Sequence, residues 1–206
     1  MSDEIIVATI GLGGTVLTVF VSVLTVYVKS KLEELRTKRE ESFTNTLPII
    51  HEVYAILNKL KRGTKASRIL ILKTENGGGR PKIGSHLKSS VVYETYDKPL
   101  KDVKKNWQDQ PLDEDYITLL IDLIQSTDQH ITIHTKSLKE DSILRVNYDA
   151  SGIKKSHIFE IIEKEKQYLY LSVNYINNEP DTQEEKEVLR SCVNQLRNIF
   201  SQNLEV

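Results

Sequence analysis

The chain has 206 residues, with 28 basic and 29 acidic side chains and a formal net charge of −1. That length holds one domain with a real core plus an appendage, and the balanced charge gives no global field that selects nucleic acid as a partner. A single cysteine, Cys192, excludes an internal disulfide framework and any multi-cysteine metal site, and the ordinary apolar and aromatic fractions exclude wholesale disorder.

Residues 1–4 carry Asp3 and Glu4, and residues 5–28 then contain no charge, Pro, Asn or Gln. As a helix this run covers roughly 36 Å, more than a hydrocarbon core of about 30 Å, and predicts a transmembrane span. A cleaved signal peptide fits less well, because it needs a basic start, a shorter apolar run and a small-residue cleavage site. Lys29, Lys31, Arg36, Lys38 and Arg39 all follow the span and none precedes it. The expected topology is therefore single-pass in a cell (inner or cytoplasmic) membrane, N-terminus outside and the bulk of the chain in the cytoplasm. Gly11, Thr15, Thr18, Ser22 and Thr25 fall on one stripe of that helix. Small and hydroxylated residues so placed suit helix–helix association, and they are equally open to a scatter reading or to a holin-like pore lining.

Residues 29–46 alternate in charge, with Glu34 and Lys38 four apart, as expected of a solvated helical stalk. Pro48 then sits where a second helix would start, with Ile49, Ile50, Val53, Tyr54, Leu57 and Leu60 at helical spacing and Lys61, Arg62 and Gly63 closing it. Lys59, Lys61, Arg62, Lys65 and Arg68 form a run of cations without an intervening acid. Such a run reads as a solvated helix end or as a contact with anionic lipid.

Residues 67–74 are apolar on both faces at their centre and predict a central strand, broken by Asn76 and three glycines. Residues 88–96 predict a second strand, with Val91, Tyr93 and Thr95 on one face. Asp113 precedes a helix with an apolar stripe of Tyr116, Leu119, Leu120, Leu123 and Ile124. Residues 129–135 read as a third strand, followed by an irregular segment. Residues 156–162 and 168–175 form a hairpin, with Tyr168, Tyr170 and Ser172 on one face and Leu169, Leu171 and Val173 on the other. Thr182 and Glu185 make a capping box before a helix carrying Val188, Leu189, Cys192, Val193, Leu196, Ile199 and Phe200.

The opening helix, the strand Ile69-Leu-Ile-Leu72 ending in Asn-Gly-Gly-Gly, the helix-bearing insertion, the hairpin and the closing helix together resemble a GAF domain over about residues 47–203. The resemblance implies an α+β fold, an antiparallel sheet with the terminal helices on one face and a ligand-binding face on the other, and a homodimer built on those helices. It does not extend to the Asn-Lys…Phe…Asp-Glu signature of cyclic-nucleotide-binding members. Asn58 and Lys59 lie in the opening helix, and the rest of that signature does not follow. Nor does it extend to bilin attachment, because Cys192 sits on the apolar stripe of the last helix, where a small core residue is wanted.

Candidate chemistry is sparse. The stretch from Gly77 to Ser85 has phosphate-loop spacing at Gly79 and Gly84, but Ser85 stands where Lys is required and Pro81 interrupts. Arg80, Lys82 and His86 remain anion-binding candidates at the border of the expected ligand face. His130 and His134 share a strand face about 13 Å apart, too far to chelate one ion together, so no metal is expected of them. With Tyr168 and Tyr170 they are candidate ligand-lining residues. No nucleophile–base–orienter set can be assembled, no cofactor is called for, and catalysis is not expected. The reading is a non-catalytic sensor or binding module taking an unidentified small molecule or protein partner. The rivals are a structural assembly protein with an empty GAF-like fold and a holin-like pore.

Overall fold

The computed structural model describes residues 3–75, 86–98, 100–164 and 167–203; for residues 3–23, 35, 37–43, 164 and 167 it describes the backbone alone. The chain divides into two compact units, Met1–Ile50 and His51–Val206.

Helix α1 covers Asp3–Gly63 and contains Pro48 in its interior. The helix start expected at Pro48 is thus not there. Proline fixes φ near the helical value and forfeits one hydrogen bond, so a helix held by its other bonds passes through it. The stripe residues Gly11, Thr15, Thr18 and Ser22 have side chains outside the described set, and Thr25 is exposed. Among the described residues no helix is long and apolar enough to cross a membrane.

The second unit is built on a six-stranded antiparallel sheet in the order β3-β2-β1-β6-β5-β4. The strands are β1 (Arg68–Glu75), β2 (Lys88–Tyr96), β3 (Gln110–Pro111), β4 (His130–His134), β5 (Lys155–Lys164) and β6 (Gln167–Tyr175). Strands β1 and β6 are central, which explains why their sequences are apolar on both sides.

One face carries Ile69, Ile71, Leu169, Leu171 and Val173, all buried, and meets residues 51–63 of α1 and the closing helix α4 (Gln183–Asn203). Tyr93 packs edge-on against Tyr54 of α1 and also meets Phe200 of α4. The end of α1 approaches α4 so closely that a Cβ on Gly63 would lie 2.7 Å from Val188 Cγ1. The expected capping box is present: Thr182 Oγ1 accepts from Glu185 N–H at 3.2 Å, and Glu185 Oε2 accepts from Thr182 N–H at 2.9 Å. The other Glu185 oxygen accepts from Lys65 N–H at 2.9 Å, tying α4 to the chain just beyond α1. Cys192 is fully buried on α4, as its place on the apolar stripe requires.

The opposite face meets α2 (Glu114–Gln125) and α3 (Ile143–Ala150). Its core joins Leu72, Val91, Tyr170 and Ile158 of the sheet to Tyr116, Leu119, Leu120 and Leu123 of α2 and Leu144 and Tyr148 of α3. Ile124, expected on the same stripe, is instead exposed. Asp113 caps α2 by accepting from Tyr116 N–H at 2.8 Å, and its second oxygen accepts from Ile143 N–H at 2.7 Å, so one carboxylate fixes the starts of both helices.

Two features depart from the sequence reading. The register of β1 with β2 slips at Val92, pairing Ile71 with Tyr93 but Leu72 with Val91. This bulge turns Val91 to the α2–α3 face, while Tyr93 and Thr95 stay on the α1–α4 face. Helix α3 and the short 3-10 turn Thr135–Ser137 occupy the segment read as irregular.

Candidate functional site

Two concavities lie on opposite faces of the sheet. The first, about 280 Å³, opens on the α2–α3 face. Leu70, Leu72, Ser172 and Asn174 form its floor, Asn147 and Ile153 one wall, and Trp107 with the segment 101–106 the other. Beside the floor, Tyr170 Oη lies 2.8 Å from Ser89 Oγ and 2.7 Å from Tyr116 Oη, a buried hydroxyl chain that fixes all three side chains. Burial pushes the Tyr170 hydroxyl up to about 12 and raises that of Tyr116 well above its usual value, so both stay neutral donors.

Arg68 is the one cation of the basic run that enters this site, and it is 4% exposed. Its Nε lies 3.3 Å from Glu94 Oε1, and its terminal nitrogen donates to the carbonyl of Lys101. Glu94 in turn accepts from the backbone N–H groups of Val103, at 3.2 Å, and of Lys104, at 2.9 Å. The pair therefore pins the segment that walls the cavity. Burial raises the Glu94 carboxyl, reinforced by a hydrogen bond with Asp102, whose own carboxyl is lowered by that bond. Trp107 buries its indole N–H without a hydrogen-bond partner among the described residues. A buried donor without a partner is rare in native folds.

The second concavity, about 830 Å³, is a more open groove between β4, β5 and α4. His130, Thr132, His134, Lys155 and His157 line its sheet side, and Lys186, Arg190 and Arg197 its helix side. His157 Nε2 is 2.8 Å from Asp181 Oδ2, and Lys155 Nζ donates to Asp181 Oδ1 at 2.8 Å. Burial pushes the Asp181 carboxyl up, but the hydrogen bond and charge of Lys155 and the hydrogen bond with His157 outweigh it and hold the group low. Burial and the neighbouring His157 lower His130 to about 4.

The residues singled out from sequence are thus not one cluster. His130 and His134 face the groove, whereas Tyr168 and Tyr170 face α2 and α3. Tyr170 is core beside the cavity, and Tyr168 is half-buried with its hydroxyl 3.3 Å from Glu160 Oε2. His86 is exposed just before β2 and lines neither concavity, while Arg80 and Lys82 lie outside the described residues. Of the basic run, Lys61 pairs with Asp97 and Lys65 with Glu179 at 2.6 Å, so with buried Arg68 three of its members are engaged within the protein. Sequence reading missed Trp107, Asn147, His157 and Asp181. The chain's single tryptophan and the Ser142 cap of α3, which accepts from Arg145 N–H at 3.2 Å, were the available signals.

No protein-family model matches the chain, and no curated protein matches it. Solved structures do share its fold. A far-red cyanobacteriochrome photoreceptor superposes with a TM-score of 0.54 at 16% identity, covering 83% of this chain and 98% of its own. The GAF domain of a two-component sensor histidine kinase from Bacillus halodurans gives 0.52 at 15% identity, covering 75% of this chain and 92% of its own. The GAF domain/HD domain protein from Geobacter sulfurreducens gives 0.51 at 12%, covering 75% and 91%. The fold of the second unit is therefore GAF-like, an α+β antiparallel sheet between two helical layers.

Proposed function

We propose that the chain is a non-catalytic sensory binding module that holds a small molecule in the α2–α3 cavity and transmits its presence through a homodimer. The observation that carries this reading is the cavity itself, lined by apolar Leu70, Leu72 and Ile153 with Trp107, Asn147 and the buried Arg68 among them. Its volume, about 280 Å³, falls just below the usual range of about 300–1,000 Å³ for small-molecule sites, which favours a ligand of one or two fused rings. Apolar contacts from Leu72, Leu144 and Ile153 suit the ring, and Asn147, Trp107 and Arg68 suit an acceptor or anionic edge. Covalent attachment of a bilin is disfavoured, because the only cysteine is sealed in α4 on the other side of the sheet.

In this reading residues 5–28 anchor the module in the membrane with the C-terminal unit in the cytoplasm. The uncharged run supports it, as do the basic residues after that run and the exposure of Leu24, Val26, Tyr27 and Val28 at its end.

Native mass spectrometry of the full chain, released from detergent under conditions that keep non-covalent ligands, tests the proposal. A defined extra mass on the wild type that is lost in Asn147→Leu, which fills the cavity wall, is the expected result. A bare wild-type chain, unchanged after incubation with cell extract, overturns it.

A further inference from the structure

The groove on the α1–α4 face contains an arrangement that the cavity does not. Strand β4 registers with β5 so that His130 lies opposite Phe159 and Thr132 opposite His157. The His130 ring stacks on Phe159 at 4.3 Å between centroids and 13° between planes, which fixes its orientation. Its Nε2 then lies 3.2 Å from His157 Nδ1, and Thr132 Oγ1 is 3.0 Å from that same Nδ1 and 3.5 Å from His130 Nε2. Three donor atoms from three side chains so form a nearly equilateral triangle. Ligand atoms at the bond lengths usual for zinc, about 2.0–2.1 Å, and at tetrahedral angles are separated by about 3.3 Å.

Protonation completes the picture. His157 Nε2 lies 2.8 Å from Asp181 Oδ2, so the neutral ring carries its proton there and turns the Nδ1 lone pair to the triangle. Lys155 grips the other Asp181 oxygen and keeps the carboxylate in place. A carboxylate behind a histidine is the usual outer support of a ligating imidazole. Without an ion, the His130 N–H and the Thr132 hydroxyl compete for that single lone pair. With one, both imidazoles point lone pairs at a common centre.

We propose that His130 Nε2 and His157 Nδ1 ligate a zinc-type divalent ion, with the Thr132 hydroxyl at the third corner and solvent from the groove at the fourth. Among the described residues no set of three His, Cys, Asp or Glu side chains gathers at one point, so two imidazoles and one hydroxyl are the protein's whole contribution to the site. His134, on the same face, takes no part in the triangle.

The test is calorimetric titration of the untagged full chain, first stripped with chelator, with zinc chloride alone. One ion per chain is expected. His130→Gln, on the edge strand, loses affinity at least tenfold, and Asp181→Asn, which keeps the shape but not the charge, about tenfold. His134→Gln retains wild-type binding, and far-UV circular dichroism confirms that each variant is folded. Absence of zinc binding by the wild type, or undiminished binding by folded His130→Gln, overturns the proposal. Neither outcome bears on the cavity across the sheet.

Discussion

The two faces of the sheet use the same central strands for opposite ends. On the α1–α4 side, β1 and β6 present Ile69, Ile71, Leu169, Leu171 and Val173, all buried beneath helical side chains. On the α2–α3 side the same strands present Arg68, Ser172 and Asn174 together with Leu70, Leu72 and Tyr170, and a cavity lined in part by Trp107 remains. Apolar area removed from water drives the first face, whereas the second gives up part of that burial to buried polar groups and a cavity. The closed centre of the first face thereby serves stability and the α2–α3 cavity the small molecule proposed for it, while the proposed zinc groove lies at the β4 edge of the first face. Substitutions should separate them.

The largest effect is expected from Leu171→Ala at the centre of the closed face. Leu171 is fully buried, and its truncation should cost about 3 kcal/mol in urea unfolding while cavity occupancy, scored by native mass, persists in the folded fraction. If occupancy falls with stability, the division between faces is wrong.

Tyr170→Phe probes the other side. It leaves the Tyr116 and Ser89 hydroxyls buried without their shared partner, at a cost of about 2 kcal/mol. Adding Tyr116→Phe should recover part of the loss, because one orphaned hydroxyl is removed with its donor. Strict additivity in that cycle would show that the hydroxyl chain does not act as a unit.

The smallest effect belongs to the capping box. Burial alone would raise the Glu185 carboxyl, but the backbone N–H groups of Thr182 and Lys65 outweigh it and hold the group below the usual value. A carboxyl held low contributes stability above its unfolded value of about 4.3 and loses that contribution as pH falls through the lowered one. Glu185→Gln should therefore cost about 1 kcal/mol near neutral pH, and its unfolding curve should converge on that of the wild type in acid below that range. A gap that persists there would refute the ionic part of the cap.

Much of this division was legible in the sequence. The hairpin alternation of Tyr168, Tyr170 and Ser172 against Leu169, Leu171 and Val173 assigned both faces correctly, and the Thr182–Glu185 spacing located the start of α4. Periodicity failed where the backbone breaks its own rule. The bulge at Val92 moves Val91 across the sheet, and no side-chain pattern marks an extra residue in a strand. Helix α3 was missed because only Leu144 and Tyr148 are buried on its eight residues, too few for a stripe. The triangle at His157 depends on β4 pairing with β5 across 25 residues of sequence, a contact that local spacing does not encode.

Trp107 is the chain's single tryptophan and lines the cavity, so its fluorescence reports on that face alone. The most direct measurement is a titration of full-length protein with a small-molecule fraction of cell extract, and separately with zinc, while Trp107 emission is recorded. A saturable shift with the extract, abolished in Asn147→Leu, together with an unmoved spectrum under zinc, is the predicted result. An emission that no extract alters, or one that zinc shifts as strongly as the extract does, would contradict a binding cavity confined to the α2–α3 face.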